Sequence, residues 1–235
     1  MQPYFFPYIG YFQLMKAVDL FIFHDDVQYI KSGWVNRNRI LANSEPVWFT
    51  LPVESASHSA PIDQRNYQLN DENRVRLKRR LEASYAKAPM YAEVLPFLSE
   101  LLDCADSNVA LFNRNLLTVI AQRLEIRCKF LVSSEVSGLA DIKAQDKVIE
   151  LCKCVSSTSY INPIGGLDLY AAPAFADKGI DLHFLRSNPI NYPQFATPHV
   201  AHLSIIDVLM FNPIEQLKRM LDEYTCVTPA TRKLS

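Results

Sequence analysis

The sequence predicts an α/β fold built on a mostly parallel sheet, and three observations predict it. Short β-rich apolar runs alternate with amphipathic stretches of about ten to fifteen residues through the second half of the chain, the pattern of strands joined by crossover helices. The 235 residues, 49% of them hydrophobic, suit one domain with its own core. A dense helical stretch at about 70–125 separates the first strands from the later ones, and it reads as an insertion into a single domain spanning 1–235.

Taken in order, the aromatic, proline-punctuated residues 1–12 form an irregular loop, and a helical turn follows from Phe12 to Val18. Asp19–His24 is a short buried strand. Arg37–Ala42 and Val47–Val53 are strands joined by a turn at Asn43-Ser44-Glu45-Pro46. Residues 54–70 are a polar surface loop. Asn70 or Asp71 caps a helix to about Ala86, with Val75, Leu77 and Leu81 as its buried stripe. Helices over Tyr91–Cys104 and from Ser107 carry leucine and phenylalanine stripes that belong to the core. Beyond them come a strand at Cys128–Ser133, a helix at Lys143–Val155 and a strand at Thr158–Asn162. A helix near Asp168–Lys178 ends at Gly179 in the C′ position. A strand at Ile180–Leu185 and helices from Ser204 and Pro213 close the chain. Ligands of parallel sheets bind beyond the carboxyl ends of the strands, so the loops after His24, Asn162 and Leu185 should line one crevice.

Charge and composition exclude several classes. Twenty-four basic against twenty-five acidic side chains give a formal charge of −1, with no global pull on DNA or an anionic surface. No run of apolar residues is long enough to span a bilayer, and the opening lacks the basic region of a signal peptide. Five cysteines share no disulfide or zinc spacing, so they read as reduced, mostly buried thiols of a cytoplasmic protein. Composition leaves the oligomeric state open.

The residues best suited to chemistry crowd into 1–40. His24, Asp25 and Asp26 stand where a core strand ends, and a histidine beside a carboxylate there can act as a general base. Lys31, Trp34, Asn36, Arg37, Asn38 and Arg39 follow. On an extended chain Arg37 and Arg39 face the same way, and two guanidinium forks suit phosphate or carboxylate. Asn162, Gly165 and Gly166 lie in a strand-to-helix turn that could cradle an anion. Arg74–Arg80 packs five cations into a helix, a solvated face or a contact for a phosphate-rich partner. His199 and His202 could join His24, Asp25 and Asp26 at a metal only if a helix began before Pro198, which proline disfavours; no metal site is expected.

The segments MQPYFFPYIGYFQLM and DLFIFHDDVQYIKSGWVNRNRI, with YINPIGGLDLY, GIDLHFL, NYPQF and LSIIDVLMFN later, resemble the WbqC-like family across most of the chain. That resemblance implies a role in bacterial surface-polysaccharide (O-antigen) biosynthesis. It also implies a native N-terminus upstream of Met1, because a short strand usually precedes the Gln-Pro-Tyr run. A second likeness, in layout, is to nucleotidyl transferases and pantothenate-synthetase-like ligases with a Rossmann-like core. In those the first helix opens on His-x-Gly-His, and here Tyr8-Ile9-Gly10-Tyr11 replaces both cations with phenols. The fold analogy outlasts the activity.

Together these readings give an enzyme that transfers a small acyl or aminoacyl group to the amine of a nucleotide-linked amino sugar. Aminoacyl-tRNA or another acyl carrier would be the donor. Gln2, Tyr4, Gly10, Tyr11 and Trp34 would line the pocket, Lys31, Arg37 and Arg39 would hold phosphate with Asn36 and Asn38 beside them, and Asn162, Gly165 and Gly166 would form the far wall. The alternatives are a non-catalytic sugar-nucleotide-binding or scaffold protein, and an ATP- and magnesium-dependent adenylating ligase.

Overall fold

The computed structural model describes residues 1–139 and 141–228. It is a mixed α/β structure in which the strands form three small sheets among the described residues. Helix α1 (Ile9–Lys16) leads into β1 (Leu20–Phe23), which pairs in parallel with β4 (Lys129–Val132). The hairpin β2 (Arg37–Ala42) and β3 (Glu45–Thr50) is antiparallel. The third sheet places β5 (Ser159–Pro163) parallel to β6 (Asp181–Ser187), with β7 (Tyr224–Val227) antiparallel on the other edge of β6.

The expectation of one mostly parallel sheet is therefore corrected: two parallel pairs exist, in separate sheets. The Met1 amino group donates to Ile22 O, and His24 N donates to Met1 O, so residue 1 occupies the parallel register on the edge away from β4. Strand β7, unpredicted, is a four-residue edge strand with neither alternation nor an apolar run to announce it.

Three helices fill 71–123. Helix α2 (Asp71–Tyr85) is capped by the Asn70 side chain, which accepts from Asn73 N, as its sequence predicts. Its buried stripe is Leu77, Leu81 and Tyr85; Val75 is exposed, because two residues from Leu77 is over half a turn away. Helices α3 (Tyr91–Leu102) and α4 (Val109–Arg123) follow, the latter capped by Asn108 rather than Ser107. These helices share one hydrophobic core with Phe5, Phe6, Phe12, the hairpin and the C-terminal helices α7 (Ile205–Phe211) and α8 (Ile214–Met220).

A second, smaller core joins α5 (Ala144–Cys154), α6 (Ala172–Ala176), β5 and β6 around Phe175 and Phe184. Helix α6 is shorter than its sequence suggests, since the 3₁₀ turns Ile164–Leu169 occupy the start of the expected span. Gly179 follows it with φ +70°, the left-handed C′ residue anticipated. The hairpin turn is tighter than expected. Ala42 pairs with Glu45, leaving Asn43 and Ser44, both at positive φ, as a two-residue loop whose twist matches the strands. No helix among the described residues is long and apolar enough to cross a membrane. Among the thiols only Cys152 is buried; Cys154 and Cys226 are exposed, each near the end of a surface element, which corrects the expectation of mostly buried cysteines.

Candidate functional site

A cavity of about 730 Å³ opens between the two cores, a volume suited to a small-molecule ligand. The N-terminal loop and α1 supply Gln2, Tyr4, Tyr8 and Tyr11, and the end of β1 supplies His24. Trp34, Asn38 and Arg39 come from the hairpin side, Gln145 and Lys147 from α5. The segment from β5 onward adds Tyr160, Asn162, Gly165, Gly166 and Tyr170, and the loop before α7 adds His202. Sequence reasoning brought the loops after His24 and Asn162 together correctly. The loop after Leu185 lines instead a smaller cavity of about 320 Å³, which shares Tyr8 and His202 with the larger one.

Arg39 is the cation that faces this space without a partner. Its guanidinium makes no ion pair or hydrogen bond among the described residues, and its buried Nε is unsatisfied. Lys147 also lines the cavity, but its ammonium is held 2.5 Å from Asp26 Oδ2. Lys31 is exposed and is not among the lining residues. Arg37 is likewise outside: its guanidinium lies 4.0 Å over the Trp48 ring and donates to Ser32 O and Gly33 O. The two arginines do share a face of β2, as alternation predicts, yet only Arg39 reaches the cavity.

The Asp pair is engaged in structure. Asp25 is buried and accepts from Ser134 N at 3.2 Å and Ser134 Oγ at 2.9 Å. Asp26 accepts from Ser133 Oγ at 2.5 Å as well as from Lys147. Burial pushes the Asp26 carboxyl up, but the Lys147 and Ser133 hydrogen bonds outweigh it and hold the group below the usual carboxylate range. Neither carboxylate is among the lining residues; His24 is. Burial first, and then the neighbouring Met1 amino group, depress the His24 imidazole to about 3. It is therefore a neutral ring at physiological pH, able to donate and accept hydrogen bonds but a weak proton acceptor.

The remaining polar groups divide. Asn38 donates to Phe5 O at 3.4 Å while lining the cavity, whereas Asn36 is buried, accepting from Tyr29 Oη and donating to Leu51 O. Burial keeps the Tyr4, Tyr8, Tyr11 and Tyr160 hydroxyls protonated, so they act as neutral donors. Gly10 does not leave room for a ligand: a Cβ there would lie 2.3 Å from the Tyr8 ring, so the glycine accommodates that phenol. At Gly166 a Cβ would lie 1.9 Å from Asn162 Nδ2, and Asn162 Oδ1 accepts from Tyr160 Oη at 3.1 Å. Gly166 thus seats Asn162, while Gly165 faces open space. Among the described residues no three of His, Cys, Asp and Glu converge as metal ligands.

The lining residues that sequence reasoning missed are Gln145, Lys147, Tyr160 and Tyr170. Gln145 and Lys147 lie on an ordinary helix, and Tyr160 and Tyr170 bound the YINPIGGLDLY segment, in which the Asn-Pro and Gly-Gly signals overshadow its two tyrosines. Only the packing of the second core against the N-terminal loop turns them toward one space.

Fold and site together define a mixed α/β protein with an aromatic-walled cavity, faced by an arginine that has no ion-pair partner among the described residues, between two hydrophobic cores. The chain belongs to the WbqC-like protein family, whose model matches residues 2–219. It is similar to an uncharacterised protein of Mycobacterium tuberculosis, 34% identical over 164 residues that cover 69% of this chain and 70% of the relative. No solved structure matches it.

Proposed function

We propose that this protein binds a nucleotide-linked amino sugar and transfers a small acyl or aminoacyl group to the sugar amine, in bacterial surface-polysaccharide synthesis. The observation that carries the reading is the unpartnered Arg39 guanidinium at an aromatic-lined cavity. Arg39 is half-buried with its Nε buried and unsatisfied; a buried donor without an acceptor is costly unless a ligand supplies one, and phosphate suits a guanidinium fork. Tyr4, Tyr8 and Tyr170 offer faces for a base or a sugar and hydroxyls for its substituents, while Tyr11 and Tyr160, whose hydroxyls donate to Gln2 O and Asn162 Oδ1, form fixed wall. His24 would accept the amine proton as the N–C bond forms and the thioester or ester bond to the acyl carrier breaks, and would return that proton to the departing carrier thiolate or hydroxyl oxygen. Its basicity would rise when the phosphates of a bound ligand bring negative charge beside it. The Rossmann-like reading of the core rests on the two parallel pairs, β1 with β4 and β5 with β6.

A second reading, a binding or scaffold protein of the same pathway, is favoured by one specific observation. Both carboxylates next to His24 are committed to Ser133, Ser134 and Lys147, which leaves His24 without an orienting acid. Thermal unfolding with and without uridine and thymidine diphosphate amino sugars tests both. Binding to the native state alone raises the melting temperature, by about 2.7 kcal/mol of stabilisation at 100 times the dissociation constant. Arg39→Ala should remove that shift. His24→Ala should keep it and abolish acyl transfer; if the wild-type protein binds the sugar nucleotide but turns over no acyl donor, whether coenzyme A thioester, acyl carrier or aminoacyl-tRNA, the binding reading stands instead. Magnesium-dependent pyrophosphate release from ATP would point to the adenylating alternative.

A further inference from the structure

The chain has two tryptophans, and both lie on the outer face of the hairpin region. Trp34 and Trp48 are 41% and 48% exposed, with ring centroids 5.6 Å apart. Ile30, at the start of the turn that carries Trp34, is 57% exposed. Gly33 N donates to Ile30 O and closes that turn, and Arg37 laces it to the hairpin through Ser32 O and Gly33 O. Two adjoining indoles and an exposed isoleucine in the turn that carries Trp34 thus stand in water on a backbone held in place by hydrogen bonds, and such exposure marks a contact surface.

Cations surround the cluster. Arg37 covers one face of Trp48 at 4.0 Å and Arg39 lies 6.0 Å from the centre of Trp34. Lys31 follows Ile30, and Arg76 reaches from α2 to Thr50 O, at the residue that pairs with Arg37 across the hairpin. None of these four forms a salt bridge among the described residues. A neutral sugar would want carboxylates and amides around the indoles, and these are guanidinium and ammonium groups. A nucleobase would want a parallel slot, but the indoles tilt 48° to each other in direct contact. Indoles and an aliphatic side chain at the centre of a basic rim match an anionic bilayer surface, where apolar groups enter the headgroup region and cations meet the lipid phosphates.

We infer that the Ile30–Trp34–Trp48 cluster with its rim of Lys31, Arg37, Arg39 and Arg76 docks this protein peripherally on an anionic membrane. Trp34 and Arg39 also line the large cavity, so docking sets the cavity mouth at headgroup level. The proposal does not depend on which ligand the cavity takes.

Because both tryptophans sit in the patch, intrinsic fluorescence reports on it, and in the absence of a cavity ligand a change on adding vesicles arises there. The experiment is titration of the intact protein with vesicles of phosphatidylglycerol and phosphatidylethanolamine, read by tryptophan emission and co-sedimentation. Phosphatidylcholine vesicles and a short single-stranded RNA serve as the other arms. A blue shift and sedimentation with the anionic vesicles, weakened by salt, are expected. Lys31→Gln and Arg76→Gln should each lower partitioning about fivefold, the equivalent of about 1 kcal/mol per cation. Ile30→Ser should lower it further while leaving the melting temperature and sugar-nucleotide binding unchanged. Unchanged emission and no sedimentation at low salt would overturn the proposal, as would equal binding to phosphatidylcholine. Quenching by RNA with no response to vesicles would overturn it and reassign the patch to nucleic acid.

Discussion

Two carboxylates behind the cavity lining, the half-buried Asp26 and the fully buried Asp207, are held by different chemistry. Asp26 meets a cation: Lys147 at 2.5 Å, with Ser133 on the other oxygen. Asp207, in the first turn of α7 and fully buried, meets only neutral donors: Tyr85 Oη at 2.8 Å, Tyr192 Oη at 2.7 Å and Gln194 Nε2 at 2.8 Å. Burial raises the Asp207 carboxyl, and the three hydrogen bonds offset that only in part, whereas Asp26 is held below its ordinary value. Neutral donors orient a carboxylate without cancelling the cost of burying its charge; an ammonium cancels it.

Each carboxylate has a positional task. Asp26 fixes Lys147 and with it α5, the wall that carries Gln145. Asp207 fixes Tyr192 and Gln194, and Gln194 exchanges two hydrogen bonds with the Val200 backbone, two residues before His202. The loop wall thus hangs on a neutral latch and the helix wall on an ion pair.

Removing the latch should have the largest effect. Asp207→Ala strands two phenols and an amide, and a loss on the order of 3 kcal/mol or more is expected from urea unfolding. A loss below about 1 kcal/mol would show that the latch contributes little. Lys147→Met comes next, at roughly 2 kcal/mol, because Asp26 keeps some access to water and to Ser133. The double variant Asp26→Asn with Lys147→Met should recover part of that loss, since no unpaired charge remains; a strictly additive double variant would contradict the pairing.

The pH dependence sharpens the contrast because the two signs are opposite. Asp26 has a lower pKa folded than unfolded, so its contribution is present above the ordinary carboxylate range and is lost as pH falls through the folded value. Asp207 has a higher pKa folded, so between the ordinary range and that raised value the native state binds more protons. Its contribution therefore declines as pH rises through that window. Asp26→Asn should flatten the acid limb of stability against pH, and Asp207→Asn should remove the decline above it, read as urea midpoints over roughly pH 3 to 7. The same direction of change in both variants would break the comparison.

The smallest effects lie at the paired glycines of the far wall. Gly166→Ala drives a methyl into the Asn162 amide and should cost about 1–2 kcal/mol with weaker ligand binding, while Gly165→Ala meets nothing and should stay within about 0.5 kcal/mol.

Local signals carried much of this protein. The hydrophobic stripe and Asn70 cap of α2, the Ser204 cap of α7, the Gly179 C′ residue and the strands β1, β2, β4, β5 and β6 all stand close to where their patterns put them. Periodicity, caps and glycine conformations act over a few residues, so a single sequence displays them. Alternation likewise put Arg37 and Arg39 on one face of β2. What it could not show is that Arg37 would be taken up by Trp48 and two carbonyls while Arg39 stayed free beside the cavity. That outcome depends on the hairpin partner and on a turn several residues upstream.

The sequence by itself determined most of the secondary elements, though not β7 or the 3₁₀ turns, together with the α/β class and the crowding of polar and aromatic residues at 1–40. Tertiary structure alone decided that the sheet is divided and that Asp25 and Asp26 brace while His24 faces the cavity. It also decided that Gln145, Lys147, Tyr160 and Tyr170 complete the wall. The physical reason is range. An element forms from interactions between residues three or four apart, but a cavity wall is set by side chains more than a hundred positions apart, such as Asp26 and Lys147, whose meeting no local pattern encodes.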